Sequence, residues 1–70
     1  METHGPVMIN GRPEALPDAC TVEKLLLSKS IDPACVVVEV NRNIVQREGY
    51  GEAVLKRGDM VEILRFVGGG

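Results

Sequence analysis

Rings are scarce in this 70-residue chain: Tyr50 and Phe66 are the only aromatic residues among Phe, Trp and Tyr, and tryptophan is absent. That removes the stacking platforms on which readers of single-stranded RNA and DNA depend. Clustered positive charge is also missing. Eight Lys and Arg lie scattered among ten Asp and Glu, giving a net charge of −2 and a pI near 5.2. Nucleic acid is therefore not an expected partner. No apolar run reaches eighteen residues, and the start METHGPV lacks the basic-then-apolar layout of a secretory signal, so a soluble, cytoplasmic protein without a membrane partner is expected. Cys20 and Cys35 stand fifteen positions apart, with His4 as the sole histidine, which excludes metal-ligand spacing and supplies no evident base to activate a thiol. The two cysteines are either a disulfide or, as is usual in the cytosol, small reduced hydrophobes.

What remains is a short chain with one thin core, since a domain of this size buries only about 60% of the surface that its unfolded form exposes. Val7-Met8-Ile9 runs into Asn10-Gly11, the dipeptide that favours a type I′ hairpin turn, and Arg12 to Leu16 can return as a second strand. Pro13 lacks a ladder donor, which makes that strand an edge or delays its start. Thr21 suits a helix N-cap, with Glu23 in the positive first turn. Val22, Leu25 and Leu26 then share one face at i, i+3 and i+4, Leu27 falls off it, and Lys29 in the last turn lays its stem along the core edge. Asp32-Pro33 is expected to end the helix.

Val36 to Val40 alternates as a strand, with Val36, Val38 and Val40 on one face and Val37 and Glu39 on the other. Ile44-Val45 is a second short candidate, 46–52 reads as irregular, and Lys56 to Asp59 as a turn. The last strand, Met60 to Val67, leads directly into Gly68-Gly69-Gly70. Hairpin, helix, strand, short strand, turn and strand imply a mixed α+β domain over 1–67 and a flexible glycine tail at 68–70.

Two readings of the tail are open. Chain ends fray, and glycine is tolerated there. Alternatively, residues without Cβ let a partner enzyme thread the tail through a narrow channel, and three extended residues carry the Gly70 carboxylate roughly 10 Å beyond the domain. A carboxylate is a poor acyl donor, so that second use requires activation, for example by ATP on the partner.

The run Val36-Val37-Val38-Glu39-Val40-Asn41, then Ile44-Val45, then Gly58-Asp59 through Arg65-Phe66-Val67-Gly68-Gly69-Gly70 resembles the ThiS family of sulfur carriers from thiamine biosynthesis. Asn10-Gly11, Leu16-Pro17, Thr21-Val22 and Leu25-Leu26 resemble the N-terminal half of the same family. The resemblance, over about residues 7–70, implies a ubiquitin-like β-grasp fold, in which a mixed sheet of four to five strands packs on one main helix. It also implies that Gly70 is adenylated by an E1-like, ThiF-like enzyme and becomes a thiocarboxylate through a sulfur donor protein. The sulfur then passes to a ThiG-like thiazole synthase. On this reading the chain is not an enzyme and holds no permanent cofactor, ATP being used by the activating partner. Gln46, where many relatives have proline, and the opening METHG depart from the pattern without touching the tail.

Alternation along the last strand assigns Val61 and Ile63 to the core and turns Met60, Glu62, Leu64 and Phe66 outward. Leu64 and Phe66, with Gly68 and Gly69, are the expected partner-binding residues, unless Phe66 simply covers the edge of a thin core. Two other functions fit the same tail: the small subunit of molybdopterin synthase, and a ubiquitin-like modifier or interaction domain.

Overall fold

A computed structural model describes residues 6–66, so the expectations for Val67 and for Gly68, Gly69 and Gly70 lie outside the described residues. The hairpin forms where the turn dipeptide places it. Asn10 and Gly11 both take positive φ, 50° and 83°, as a type I′ turn requires. They join β1 (Pro6–Ile9) to β2 (Arg12–Ala15), with Ile9 opposite Arg12 and Met8 opposite Pro13. β2 is an edge strand, the position in which proline costs the ladder least.

Helix α1 (Val22–Ser28) starts at Thr21, whose Oγ1 accepts the Lys24 N–H at 3.1 Å. Its stripe is as expected: Val22, Leu25 and Leu26 are buried, while Leu27 is 61% exposed. The stop differs from the expectation. The helix closes at Lys29, Ser30 takes a left-handed φ of 59°, and the Ile31 N–H reaches back to the Leu26 carbonyl at 2.9 Å. That reversal satisfies the last carbonyls well before Pro33. Asp32-Pro33 instead opens a 3₁₀ turn, with Asp32 Oδ1 accepting the Ala34 N–H.

β3 (Val36–Val40), β4 (Asn43–Val45) and β5 (Met60–Arg65) complete one five-stranded sheet in the order β2-β1-β5-β3-β4. β5 lies between β1, to which it is parallel, and β3, to which it is antiparallel. The last strand in sequence is thus the middle of the sheet. The inner face brings Val7, Ile9, Val36, Val38 and Val61 against the helix stripe, each buried Val or Leu contributing about 1.5–3 kcal/mol. This is a mixed sheet on one helix, a ubiquitin-like β-grasp.

Two core members come from the stretch between β4 and β5: Tyr50 from 46–52, expected to be irregular, and Leu55 from just beyond it. Tyr50 and Leu55 are 4% and 3% exposed. A 3₁₀ turn (Arg47–Gly49) carries the chain past the start of α1, whose free amides it satisfies: Val22 donates to the Ala53 carbonyl and Glu23 to the Tyr50 carbonyl, each at 3.0 Å. Leu55 donates to the Cys20 carbonyl at 2.8 Å, and Thr21 bridges to Val54.

Candidate functional site

Because β5 alternates, every second residue leaves the core. Met60, Leu64 and Phe66 are 57%, 51% and 59% exposed, whereas Val61 is buried and Ile63 half-buried, as the alternation predicts. The neighbouring strands extend the apolar patch. Leu64 stands opposite Val37 of β3, and Ile44 of β4, 61% exposed, stands opposite Glu39 on the same face. Val37, Ile44 and Phe66 border a shallow hollow of about 180 Å³, with Arg47 at its rim. Leu64 and Phe66, expected to mark a partner surface, are therefore exposed together, joined by Ile44, which the sequence reading did not single out.

Acidic groups flank the patch. Glu39 and Glu62 are direct cross-strand partners on this outer face. Like charges in that position disfavour the pairing, and a cation brought by a partner would relieve it.

Two asparagines align β5. Asn41 Oδ1 accepts the Met60 N–H at 3.0 Å, while its Nδ2 donates to Asp59 Oδ1. Asn10 Oδ1 accepts the Ile63 N–H at 2.8 Å and Asn10 Nδ2 donates to the Ile63 carbonyl at 3.3 Å. One side-chain amide thus substitutes for a strand residue where β1 has ended. The sequence marks Asn10 only as a turn residue and gives Asn41 no role of its own. The ladder continues to Phe66, whose N–H donates to the Cys35 carbonyl at 2.9 Å. The chain is held in register up to four residues from its end.

Both cysteines are free, Cys20 buried and Cys35 exposed. Burial pushes the Cys20 thiol above its ordinary pKa, partly opposed by the Lys24 ammonium. Among the described residues no three His, Cys, Asp or Glu side chains gather as a metal site, and no helix is long and apolar enough to cross a membrane. The described surface supplies an exposed apolar face and a last strand held in register up to Phe66.

A model of the ThiS family matches residues 7–70. The sulfur carrier protein ThiS of Bacillus subtilis is 42% identical over 53 residues, covering 76% of this chain and 80% of that protein. A thiazole synthase of Magnetococcus marinus is 38% identical over 64 residues, 91% of this chain but 20% of the enzyme, so the chain spans about a fifth of that relative. The crystal structure of a thiamine biosynthesis protein (ThiS) from Geobacter metallireducens superposes with a TM-score of 0.79 at 32% identity, covering 93% of this chain and 99% of that one.

Proposed function

The chain belongs to the ThiS family, and from that premise we propose that it carries sulfur for thiazole formation in thiamine biosynthesis, as a thiocarboxylate on Gly70. The observation that carries this reading is the course of β5. A strand locked between β1 and β3 presents Leu64 and Phe66 outward and then runs without a linker toward three glycines. From Phe66 the last four residues reach roughly 13 Å when extended, enough to enter an active site whose rim rests on the apolar face.

The chemistry needs two partner steps. An E1-like enzyme lets the Gly70 carboxylate attack the α-phosphate of ATP, releasing pyrophosphate and leaving an acyl adenylate. The terminal sulfur of a donor protein's persulfide then displaces AMP, which leaves with one carboxylate oxygen, and a thiol cleaves the resulting acyl disulfide at its S–S bond, releasing the thiocarboxylate and leaving a disulfide on the donor. The carrier's own part is geometric: docking replaces diffusion with a high local concentration, and the glycines admit the carbonyl to a narrow channel. The thiazole synthase relative that contains a segment similar to this chain supports such an enzyme as the acceptor of the sulfur.

Intact mass after incubation with ATP, a ThiF-like enzyme and a sulfur donor tests the reading. The expected product has one oxygen replaced by sulfur, and deletion of Gly70 abolishes the change. Persistence of the change after that deletion would overturn the assignment, as would recovery of the chain joined through Gly70 to lysines of other proteins.

A further inference from the structure

We propose that the cleft between the inner edge of β5 and the C-terminal end of α1 binds an extended acidic segment of a partner protein. The cleft lies on the side of the sheet opposite the Leu64 and Phe66 face, and the proposal is independent of the sulfur-carrier reading. Odd-numbered residues of β5 turn their backbone groups away from β3. Val61 meets the Asn10 amide and Ile63 meets the Asn10 side chain, but β1 has ended before Arg65. Opposite Val36 on one side, Arg65 points its N–H and carbonyl to the other, where no described residue pairs with them. One position of open sheet edge therefore offers both a donor and an acceptor, as strand addition requires.

Beside that edge is a hollow of about 430 Å³, floored by Ile9, Ile31 and Ile63 and rimmed by Arg12, Lys29 and Arg65. Three of the chain's eight basic residues meet there, in a protein whose net charge is negative, and the lining includes no carboxylate. Lys29 pairs with Glu14 at 2.7 Å, whereas Arg12 and Arg65 form no ion pair with a described residue. An acidic residue directly opposite Arg65 forms a favourable cross-strand pair and lies within the reach of Arg12. The apolar floor then takes the side chain of a neighbouring residue in the added segment. A small anion would leave the Arg65 carbonyl and the floor unused. The chain's own tail could reach the edge only by reversing, and its glycines have no side chain for the floor.

The test is an NMR titration of the ¹⁵N-labelled full chain with an acetylated, amidated hexapeptide of alternating valine and aspartate. Saturable shifts are expected at the amides of Asn10, Ile31 and Arg65, with Ile44 and Glu39 unmoved and a dissociation constant of about a millimolar. The double substitution Arg12→Glu and Arg65→Glu, both at exposed side chains, is expected to weaken binding about tenfold while leaving the spectrum folded. Equal binding of a valine–lysine hexapeptide, shifts centred on Ile44, or unchanged affinity in the double variant would overturn the proposal. Tighter binding after removal of 67–70 would do so too, because it would make the tail the occupant.

Discussion

Leu26 and Leu27 are adjacent in sequence and opposite in fate, the first 0% and the second 61% exposed. Truncating each to alanine tests whether the stripe at Val22, Leu25 and Leu26 is the face that holds α1 to the sheet. Leu26→Ala removes about three buried methylene equivalents, worth about 2.4 kcal/mol in transfer terms. The cavity left in a close-packed core raises the cost to about 3–4 kcal/mol. A 70-residue domain has a total stability of roughly 3.5–10 kcal/mol, so this one change takes away about 30% of it or more. Its melting temperature is expected to fall by about 12–30 °C. Leu27→Ala exposes nothing new and gains slightly in helix propensity, so its stability stays within about 0.5 kcal/mol of the parent. Urea unfolding followed by far-UV circular dichroism gives both values, with an unchanged slope showing that the same surface is exposed on unfolding. Equal losses in the two variants would refute the reasoning, because they would mean that α1 presents a different face to the core.

Phe66→Ser is expected to leave the urea midpoint nearly unchanged, since the ring is mostly exposed, but to weaken binding to the thiazole synthase proposed as acceptor by about tenfold or more, as loss of an aromatic anchor at an interface does. Calorimetric titration reads the second effect, and undiminished binding would remove Phe66 from the docking face. A thiol reagent at mildly alkaline pH is expected to label Cys35 rapidly and Cys20 only through unfolding, because Cys20 is 4% exposed and burial raises its pKa. The sign for stability follows from the raised value. The Cys20 contribution is complete below the ordinary thiol range, and is lost as pH rises from there through the folded pKa, where the unfolded chain sheds its proton first. Stability of the Cys20→Ala variant, followed over the same alkaline range, should show a shallower decline than the parent.

Much of this architecture is legible because local periods carry it. The i, i+3, i+4 spacing in 22–26 and the alternation in 36–40 and 60–66 each place side chains by backbone geometry alone, and the structure keeps both assignments. Thr21 as a cap and Asn10-Gly11 as a turn are equally local, resting on one side chain's bond or two positive φ angles. The helix stop departs from the sequence expectation for a local reason too. Proline was the louder signal, but Ser30 in the left-handed region closes the helix earlier, a state that serine does not advertise. No local period places Tyr50 and Leu55, because the chain from 46 to 55 has no regular alternation and buries them only where it crosses the start of α1.

By itself the sequence determined the parts: one amphipathic helix, alternating strands, an apolar outer pair before the tail, and an ending in three glycines. Each depends on interactions within a few residues, or on residue type alone. Only the tertiary structure decided that the last strand is the central one, parallel to the first, and that Asn10 spans to Ile63 across fifty-three positions to hold it there. It also decided that Ile44 joins Leu64 and Phe66 on one face and that Arg12, Lys29 and Arg65 surround one hollow. Contacts of such long range follow from the order in which strands assemble, which no local period encodes.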